Sequence, residues 1–351
     1  IEEIGEGRYP LVYGERMVDP DKPTVLFYGH YDVQPPDPLE EWRSPPFEPT
    51  IEDGRLVARG ATDDKGQSYT HLKAVDALLA ERGELPVNVK FLVEGEEESG
   101  GEGIEAYVHK DGGKRLACDC VVVSDTSMLG PGRPSLLYGL KGMLYTQIDV
   151  RGPNRDLHSG TFGGAVANPA NALAHILASL RDPASGRVLV PGFYDRVRPI
   201  EQWERDAFAA VPFDEAAYRE DLGVAELFGE EGYTTLERMW ARPTCDVNGL
   251  WGGYQKAGAK TIIPGTAGAK VSMRLVPDQD PKEIAEAFRR HVEEHSPPGV
   301  TVDVTVINHA KPTLIDPEGP ALDAAMAALE EVWGKEPLKV REGGSIPIVS
   351  A

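Results

Sequence analysis

The amino-acid sequence predicts an α/β fold in two domains. A first domain has a mostly parallel central sheet flanked by helices, and a smaller α+β domain is inserted into it. Strands and helices alternate in the first third of the 351 residues, which is typical of parallel sheets. From about Met143 the predicted strands alternate apolar and polar residues, as strands with one solvated face do. Two domains also agree with the length, because single cores seldom grow past roughly 250–300 residues.

In the first domain, three short apolar runs are predicted strands, and an amphipathic helix lies between the first two. The strands cover 24–28, 87–93 and 120–124, and the helix covers about 65–81. The order strand, helix, strand favours parallel pairing. The apolar residues that recur at helical spacing are Tyr69, Leu72, Val75, Leu78 and Leu79.

The second domain is predicted from strands at 144–150, 270–276 and 300–306 and from helices at 168–180 and 281–295. A segment rich in proline and aromatic residues, about 182–260, is interpreted as an insertion. A helix at 322–333 and a strand at 338–340 are expected to rejoin the first domain. The predicted boundaries are therefore 1–142 with 313–351 for the first domain and 143–312 for the second.

The charge excludes some classes of partner. Acidic residues outnumber basic ones, 57 against 36, for a formal net charge of −21. This charge opposes binding to nucleic acid or to an anionic membrane, and no apolar run approaches the ~20 residues of a membrane helix. No signal peptide is recognised. Cys118, Cys120 and Cys245 form no CxxC pair, which predicts a reducing, cytoplasmic location.

Each predicted strand of the first domain ends at side chains that can bind metal. His30 follows the first strand, an acidic run that includes Glu97 follows the second, and Asp125 follows the third. Asp63 precedes the helix. Taken singly, Asp63 could be a helix N-cap, His30 a core histidine, and the acidic run a solvated turn.

Together, these side chains predict a metal site. Ligands converge beyond the carboxyl ends of the strands in open α/β sheets, and converging carboxylates repel unless a cation lies among them. Imidazole and carboxylate without thiolate suit Zn²⁺ best, with Mn²⁺ or Co²⁺ as alternatives. Several carboxylates that can bridge point to two metals about 3.5–4 Å apart, an arrangement that suits hydrolysis.

Four segments carry a resemblance to a known family. The motifs GHYDVQP, RGATDDKG, EGEEESG and DLHSGTFGG occupy 29–35, 59–66, 94–100 and 156–164. They resemble the di-zinc metallopeptidases that include carnosinase, cytosolic non-specific dipeptidase, succinyl-diaminopimelate desuccinylase and acetylornithine deacetylase. The dipeptidase branch is the most similar. The resemblance implies a zinc-binding catalytic domain and an inserted lid domain through which two subunits form a homodimer.

The same resemblance implies two Zn²⁺ per subunit and assigns their ligands. His30 and Glu98 would bind one metal, Asp125 the other, and Asp63 would bridge both. An aspartate at position 125, where the carboxypeptidase members tend to carry glutamate, is similar to the dipeptidase pattern. Asp32 would orient His30 through the second ring nitrogen, a role that metal-bound histidines require.

The resemblance also assigns catalytic roles. Glu97 would be the general base that takes a proton from the attacking water and returns it to the leaving amine. His158, from the lid of the neighbouring subunit, would donate to the developing oxyanion.

Further residues are implied to bind a small peptide substrate. Arg274 would bind the free carboxylate of the substrate, since a guanidinium fork matches that shape. Thr261 would make a second contact between subunits. Near the end of the sequence, Ser345 would donate a hydrogen bond and Gly344 would let the backbone approach the substrate closely.

One expected ligand has no counterpart. The family completes the second metal site with a histidine near the C-terminus, and none with that context is present. The missing histidine and the lack of an initiator Met together predict that the sequence lacks both ends of the enzyme. The predicted function is metal-dependent hydrolysis of dipeptides or short peptides. A deacylase acting on N-acyl amino acids or succinyl-diaminopimelate, and an inactive fragment that dimerises through its lid, are the alternatives.

Overall fold

The computed structural model describes residues 1–109 and 113–350. They form two compact units, the first made of 1–128 with 347–349 and the second of 129–346. The predicted domain boundaries at 142/143 and 312/313 stay a prediction; residues 129–142 and 313–346 are in the second unit.

The first unit is built on a mostly parallel sheet. Its strands lie in the order β1-β5-β2-β6, with β2 parallel to β5 and to β6 and with β1 antiparallel at one edge. The predicted α/β fold is therefore confirmed. The elements are β1 (Val12–Arg16), β2 (Thr24–His30), β3 (Thr50–Glu52), β4 (Arg55–Val57), α1 (Lys65–Arg82), β5 (Asn88–Glu94), α2 (Glu102–Tyr107), α3 (Gly113–Arg115) and β6 (Cys120–Val123).

The helix α1 forms where it was predicted, but its apolar side chains are not buried. Tyr69 is 62% exposed and Leu72 45% exposed. Val75, Leu78 and Leu79 are half-buried, and His71 lies on the same side of the helix. The ring of His71 lies 4.5 Å from that of Phe27 in β2, and His71 Nε2 is 2.7 Å from Ser124 Oγ. The predicted apolar face therefore forms only in part, because the polar residue His71 shares the covered side of the helix with Val75, Leu78 and Leu79.

The second unit contains an antiparallel sheet in the order β10-β12-β8-β13. The helix α5 packs against β8 and β12, and α9 packs against β8 and β13. The elements of this unit are β7 (Ser135–Leu140), β8 (Gly142–Arg151), β9 (Leu157–His158), α4 (Ser159–Phe162), α5 (Pro169–Ser179), α6 (Gln202–Ala210), α7 (Glu215–Leu222), α8 (Thr235–Ala241), β10 (Thr244–Gly252), β11 (Ile262–Ile263), β12 (Thr266–Leu275), α9 (Pro281–Glu294), β13 (Thr301–Ala310), β14 (Thr313–Leu314), α10 (Pro320–Trp333) and β15 (Leu338–Glu342).

The sequence explains the helices that cover this sheet. Each has proline in its first turn and an N-cap residue whose side chain accepts a backbone N–H, Asn168 for α5 and Asp280 for α9. Their apolar faces and the inward residues of β8 and β12 share one core, which includes Leu144, Ile148, Ile176, Met273 and Phe288, all fully buried.

The segment 182–260 is more than an insertion. It contains α6, α7 and α8, and it also supplies β10, the edge strand beside β12. This strand escaped prediction because most of its residues are exposed or half-buried, so its sequence lacks the alternation of a one-sided strand. After the sheet, β15 pairs in parallel with β7, so the closing segment returns to a strand that precedes residue 142.

A buried ion pair joins this region to α6. Glu204 accepts hydrogen bonds from Tyr138 of β7 and Arg341 of β15, and all three residues are buried. Glu204 also receives the backbone N–H of Glu201 in a capping box. The charge of Arg341 is therefore paired, as a buried charge must be.

The cysteines are free thiols, with Cys245 buried and Cys118 and Cys120 half-buried. The predicted cytoplasmic location stays a prediction. Within the described ranges, no helix combines the length and the apolar character needed to cross a bilayer.

Candidate functional site

The parallel strands of the first unit end at the same edge of the sheet. His30 at the end of β2 is in register with Glu94 at the end of β5, and Tyr28 is in register with Val123 at the end of β6. Asp125 follows β6 by two residues. This convergence is the arrangement expected for open α/β sheets.

Three candidate ligands meet at this edge. His30 Nε2 lies 2.9 Å from Asp63 Oδ1 and 3.8 Å from Asp125 Oδ2, and one donor atom from each residue lies within 4.8 Å of the others. His30 is only 1% exposed, whereas the carboxylate of Asp63 is 56% exposed. The cluster therefore has a buried base and a face open to solvent.

Asp32 supports two residues of the site at once. Its backbone oxygen is hydrogen-bonded to His30 Nδ1 at 3.1 Å, and its Oδ1 lies 3.2 Å from the same nitrogen. Its Oδ2 accepts the backbone N–H of Glu98 at 3.0 Å. The imidazole is held through one nitrogen while the other faces Asp63 and Asp125. A ligand ring needs this type of support to keep its orientation.

The local sequence fits the start of α1 tightly against β2. A Cβ added at Gly29 would lie 2.0 Å from Ser68 Oγ and 2.5 Å from Asp64 Oδ2, so only glycine fits at this point. The Asp64 carboxylate accepts the backbone N–H of His30 at 3.2 Å and the hydroxyl of Ser68 at 2.9 Å. These contacts fix the position of Asp63, which precedes Asp64 in the chain.

Burial and nearby negative charges raise the pKa of several carboxyl groups at this edge. Burial is the main cause and negative neighbours add to it: the pKa of Glu97 is raised to about 8, that of Glu94 to about 7 and that of Asp125 to about 6. Burial alone would lower the pKa of His30, but the charges of Asp125 and other nearby carboxylates outweigh it and raise that pKa. The cluster thus favours protons, or another source of positive charge.

These residues fit a divalent cation. The donors are an imidazole and carboxylates, which suit zinc, manganese or cobalt. Throughout 1–109 and 113–350, no lysine or arginine forms an ion pair with Asp63, Asp125 or Glu97. Glu98 Oε1 is buried without a hydrogen-bond partner. A cation would satisfy both the charge and this oxygen.

Three of the four predicted metal ligands lie close together in the structure. His30, Asp63 and Asp125 form the three-residue group, while Glu98 is outside it and its Oε2 accepts a hydrogen bond from Gln34. The roles assigned to these residues, and to Glu97 and Asp32, stay predictions. Sequence reasoning gave no role to Gln34, Asp64 or Glu94. All three stand inside the recognised motifs, which was the available signal.

The predicted site residues of the second unit form two separate pairs. His158 is exposed at the end of β9 opposite Ile262 of β11, and its Nε2 is 3.5 Å from Thr261 Oγ1. Arg274 of β12 donates to Ser345 Oγ at 3.1 Å, and Gly344 beside it is exposed. The structure therefore brings together His158 with Thr261, and Arg274 with Ser345.

Comparison with known proteins identifies the family. A family model described as "Peptidase family M20/M25/M40" matches residues 26–349. The chain belongs to this family. The predicted resemblance is therefore confirmed.

Individual M20 relatives are similar over almost the whole chain. "Beta-Ala-His dipeptidase" from Homo sapiens is 36% identical over 345 residues, which are 97% of this chain and 68% of that protein. "Cys-Gly metallodipeptidase dug1" from Schizosaccharomyces pombe is also 36% identical, over 97% of this chain and 72% of that protein. The chain is thus a metallopeptidase similar in sequence to dipeptidases.

Solved structures of peptidases are also similar to this chain. The M20 family metallo-carboxypeptidase Sso-CP2 from Sulfolobus solfataricus has a TM-score of 0.87 at 38% identity, covering 97% of this chain and 76% of that chain. The dipeptidase Dug1p from Saccharomyces cerevisiae has a TM-score of 0.83 at 34% identity, covering 97% and 72%.

The raised pKa values predict how pH changes the stability of the metal-free M20 protein. A carboxyl group with a higher pKa in the folded than in the unfolded chain stabilises the fold below its unfolded pKa and loses that contribution as pH rises through the folded pKa. For Asp125, Glu94 and Glu97 this window runs from about 4 to about 8. The melting temperature of chelator-treated protein should therefore fall from pH 5 to pH 8.

The control is Glu94→Gln, which removes one ionisation and keeps an acceptor for the hydroxyl of Tyr28, the donor to Glu94 at 2.6 Å. This variant should lose less melting temperature across the same window, and added Zn²⁺ should reduce the fall in the unsubstituted protein. A melting temperature that stays level or rises from pH 5 to pH 8 without metal would contradict the electrostatic description.

Proposed function

We propose that this protein hydrolyses the amide bond of dipeptides or short peptides in a metal-dependent reaction. One observation carries the proposal: His30, Asp63 and Asp125 offer donor atoms within 4.8 Å of one another, beside Glu97. An imidazole and carboxylates grouped in this way can hold a hydrolytic metal. The names of the relatives, Beta-Ala-His dipeptidase and Cys-Gly metallodipeptidase, support a dipeptide as the substrate.

We propose two Zn²⁺ per subunit, with Mn²⁺ or Co²⁺ as possible substitutes. His30 and Glu98 would hold one metal, Asp125 the other, and Asp63 both. Support comes from the donor set and from the buried Glu98 Oε1 that lacks a partner. Asp32 would keep the His30 ring oriented, consistent with the 3.2 Å between Asp32 Oδ1 and His30 Nδ1.

Glu97 is the proposed general base. Bound divalent metals supply Lewis acidity and lower the pKa of water. Glu97 would take a proton from the attacking water and return it to the leaving amine. Burial and the charge of Asp125 raise the pKa of Glu97 to about 8 without metal, so this carboxyl group can hold a proton near neutral pH, as a group that both takes and gives one must.

Residues of the second unit are proposed to bind the substrate. Arg274 would pair with the free carboxylate, with Ser345 and Gly344 beside it, and Thr261 would contribute a further contact. His158 is exposed, and its imidazole would stabilise the oxyanion in the partner subunit of a homodimer. We also propose a cytoplasmic location, which is consistent with the free thiols.

A peptidase is favoured over a deacylase. The relatives at 34–38% identity described above are named dipeptidases and a metallo-carboxypeptidase. Both names imply cleavage beside a residue with a free α-carboxylate, the group proposed for Arg274. Deacylation of N-acyl amino acids would use the same metals and Glu97, so substrate preference distinguishes the two reactions.

The role of Glu97 predicts a large loss of turnover on Glu97→Gln. With the base removed, kcat should fall by about 10²–10⁴, while zinc content stays unchanged because Glu97 is not a proposed ligand. Glu105→Gln is the matched control, since Glu105 is an exposed acid on α2 and should leave kcat within about two-fold. Dipeptide hydrolysis and metal analysis measure both effects. Full turnover by Glu97→Gln would exclude this role.

The proposed substrate class is tested by a panel of unblocked dipeptides and N-acyl amino acids assayed with Zn²⁺, Mn²⁺ or Co²⁺. We expect kcat/KM to be at least about ten-fold higher for the preferred dipeptide, a difference of about 1.4 kcal/mol in transition-state binding. Chelation should abolish turnover and metal should restore it. A preference for acyl substrates of the same size would replace the peptidase proposal with a deacylase.

A further inference from the structure

A buried lysine immediately before β8 has little to neutralise it. Lys141 is 3% exposed, and its ammonium donates to the backbone oxygen of Arg238 at 3.0 Å. Within the described parts of the chain no carboxylate forms an ion pair with this ammonium, and no second acceptor receives its remaining N–H groups. A buried ammonium with one acceptor is costly unless something compensates for it.

Lys90 shows how a buried ammonium is usually satisfied in the same protein. It is 7% exposed, and its ammonium donates to the backbone oxygens of Arg115 and Ala117, both at 2.7 Å. Two carbonyls satisfy most of its donors, so Lys90 has a structural explanation. Lys141 is similarly buried and lacks one.

Lys141 lies beside Arg274. In the ladder of β8 and β12, Met143 pairs with Arg274, and Lys141 precedes Met143 by two residues. Alternate residues along a strand face the same side of a sheet. Lys141 immediately precedes β8, and the charge of Arg274 acts on its ammonium, so the two residues are neighbours on this side of the sheet.

Lys141 and Arg274 also contact the end of β15 and the loop that follows it. The backbone N–H of Lys141 donates to Glu342 O at 3.3 Å, and Arg274 donates to Ser345 Oγ at 3.1 Å. The start of β8, β12 and the loop after β15 therefore converge around two cations. An anion in this corner would interact with both.

The surrounding charges leave this pair positive. Arg242 is matched by Glu230 through two hydrogen bonds at 2.7 and 2.8 Å. Asp246 is half exposed and lies 3.8 Å from Arg181. Burial, and then the positive charge of Arg274, lower the pKa of Lys141 to about 7, which is consistent with two cations close together in a poorly solvated place.

We propose that Lys141 is a positioning residue for the free carboxylate of the substrate, its buried ammonium acting with Arg274 to attract and hold that group. This inference rests on the proposed peptidase function. A carboxylate is the anion that every unblocked dipeptide presents, and Arg274 offers the guanidinium fork that matches it. Lys141 contributes charge from behind the fork, where water screens it little.

The test separates binding from chemistry with alanylalanine and alanylalaninamide, which differ in the carboxylate. Lys141→Met removes the charge and leaves an apolar side chain suited to a buried position. For this variant we expect KM for alanylalanine to rise about ten-fold, with kcat and the KM for the amide changed less than about two-fold. Lys90→Met is the matched control and should leave both KM values unchanged, with any effect confined to melting temperature.

Lys141→Arg supplies a second readout. The charged groups around Lys141 are Arg274, Arg242 and Asp246, and the arginines keep their charge at all relevant pH values. In the unsubstituted protein, KM for alanylalanine should rise between pH 6 and pH 8.5 as Lys141 loses its proton. In Lys141→Arg this part of the rise should disappear while KM stays low.

Three results would overturn the inference. They are an unchanged KM for alanylalanine in active Lys141→Met, an equal KM increase for both substrates, and identical pH profiles for the unsubstituted protein and Lys141→Arg. Failure of the proposed function can be distinguished from failure of this inference. If the unsubstituted protein with Zn²⁺ hydrolyses no dipeptide, both proposals are wrong. If the enzyme is active but the Lys141 substitutions have no effect on KM, only this inference is wrong.

Discussion

The structure depends on the burial and mutual proximity of acids gathered beside one buried imidazole. Burial first, and negative neighbours second, raise the pKa of Glu94, Glu97 and Asp125 above the ordinary range. The charges of Asp125, Glu97 and other nearby carboxylates raise the pKa of His30. Such a group is stable when protons or a cation balance it. Keeping these acids close together costs electrostatic free energy, and this cost is the physical reason to expect a metal. A hydrolytic metal site would offset the cost, because the bound cations would neutralise the carboxylates.

Sheet geometry produces the gathering. Because β5, β2 and β6 are parallel neighbours, the residues at their carboxyl ends meet at one edge, and the close approach of α1 at Gly29 adds Asp63. The second unit brings two cations together: β12 carries Arg274, Lys141 immediately precedes β8, and the end of β15 with the loop after it contacts both. Acids for a metal and cations for a carboxylate are the two charge patterns that a peptidase for short, unblocked substrates requires.

Much of this could be predicted from sequence because short-range patterns determine it. The strands near 24–28, 87–93 and 120–124 and the metal-binding side chains that follow them were visible as apolar runs ending in acids or histidine. The missed features depend on long-range packing. The exposure of Tyr69 and Leu72 in α1, and the edge strand β10, could not be predicted because the local sequence does not determine which face will be covered. Lys141 resembles any surface lysine until its burial is known. Glu98 shows a further limit, since sequence gives its place in the motif but not its hydrogen bond to Gln34.

The central claim is that the acids around His30 share a divalent cation, and the most direct test is the metal content of the purified protein. After equilibration with Zn²⁺ and removal of free metal, plasma mass spectrometry should find bound zinc in the unsubstituted protein. It should find a marked loss in Asp63→Ala and no change in Asp76→Ala, where the exposed acid of α1 that pairs with Lys73 is removed. A folded protein that retains no divalent metal, or that loses none on Asp63→Ala, would contradict the account.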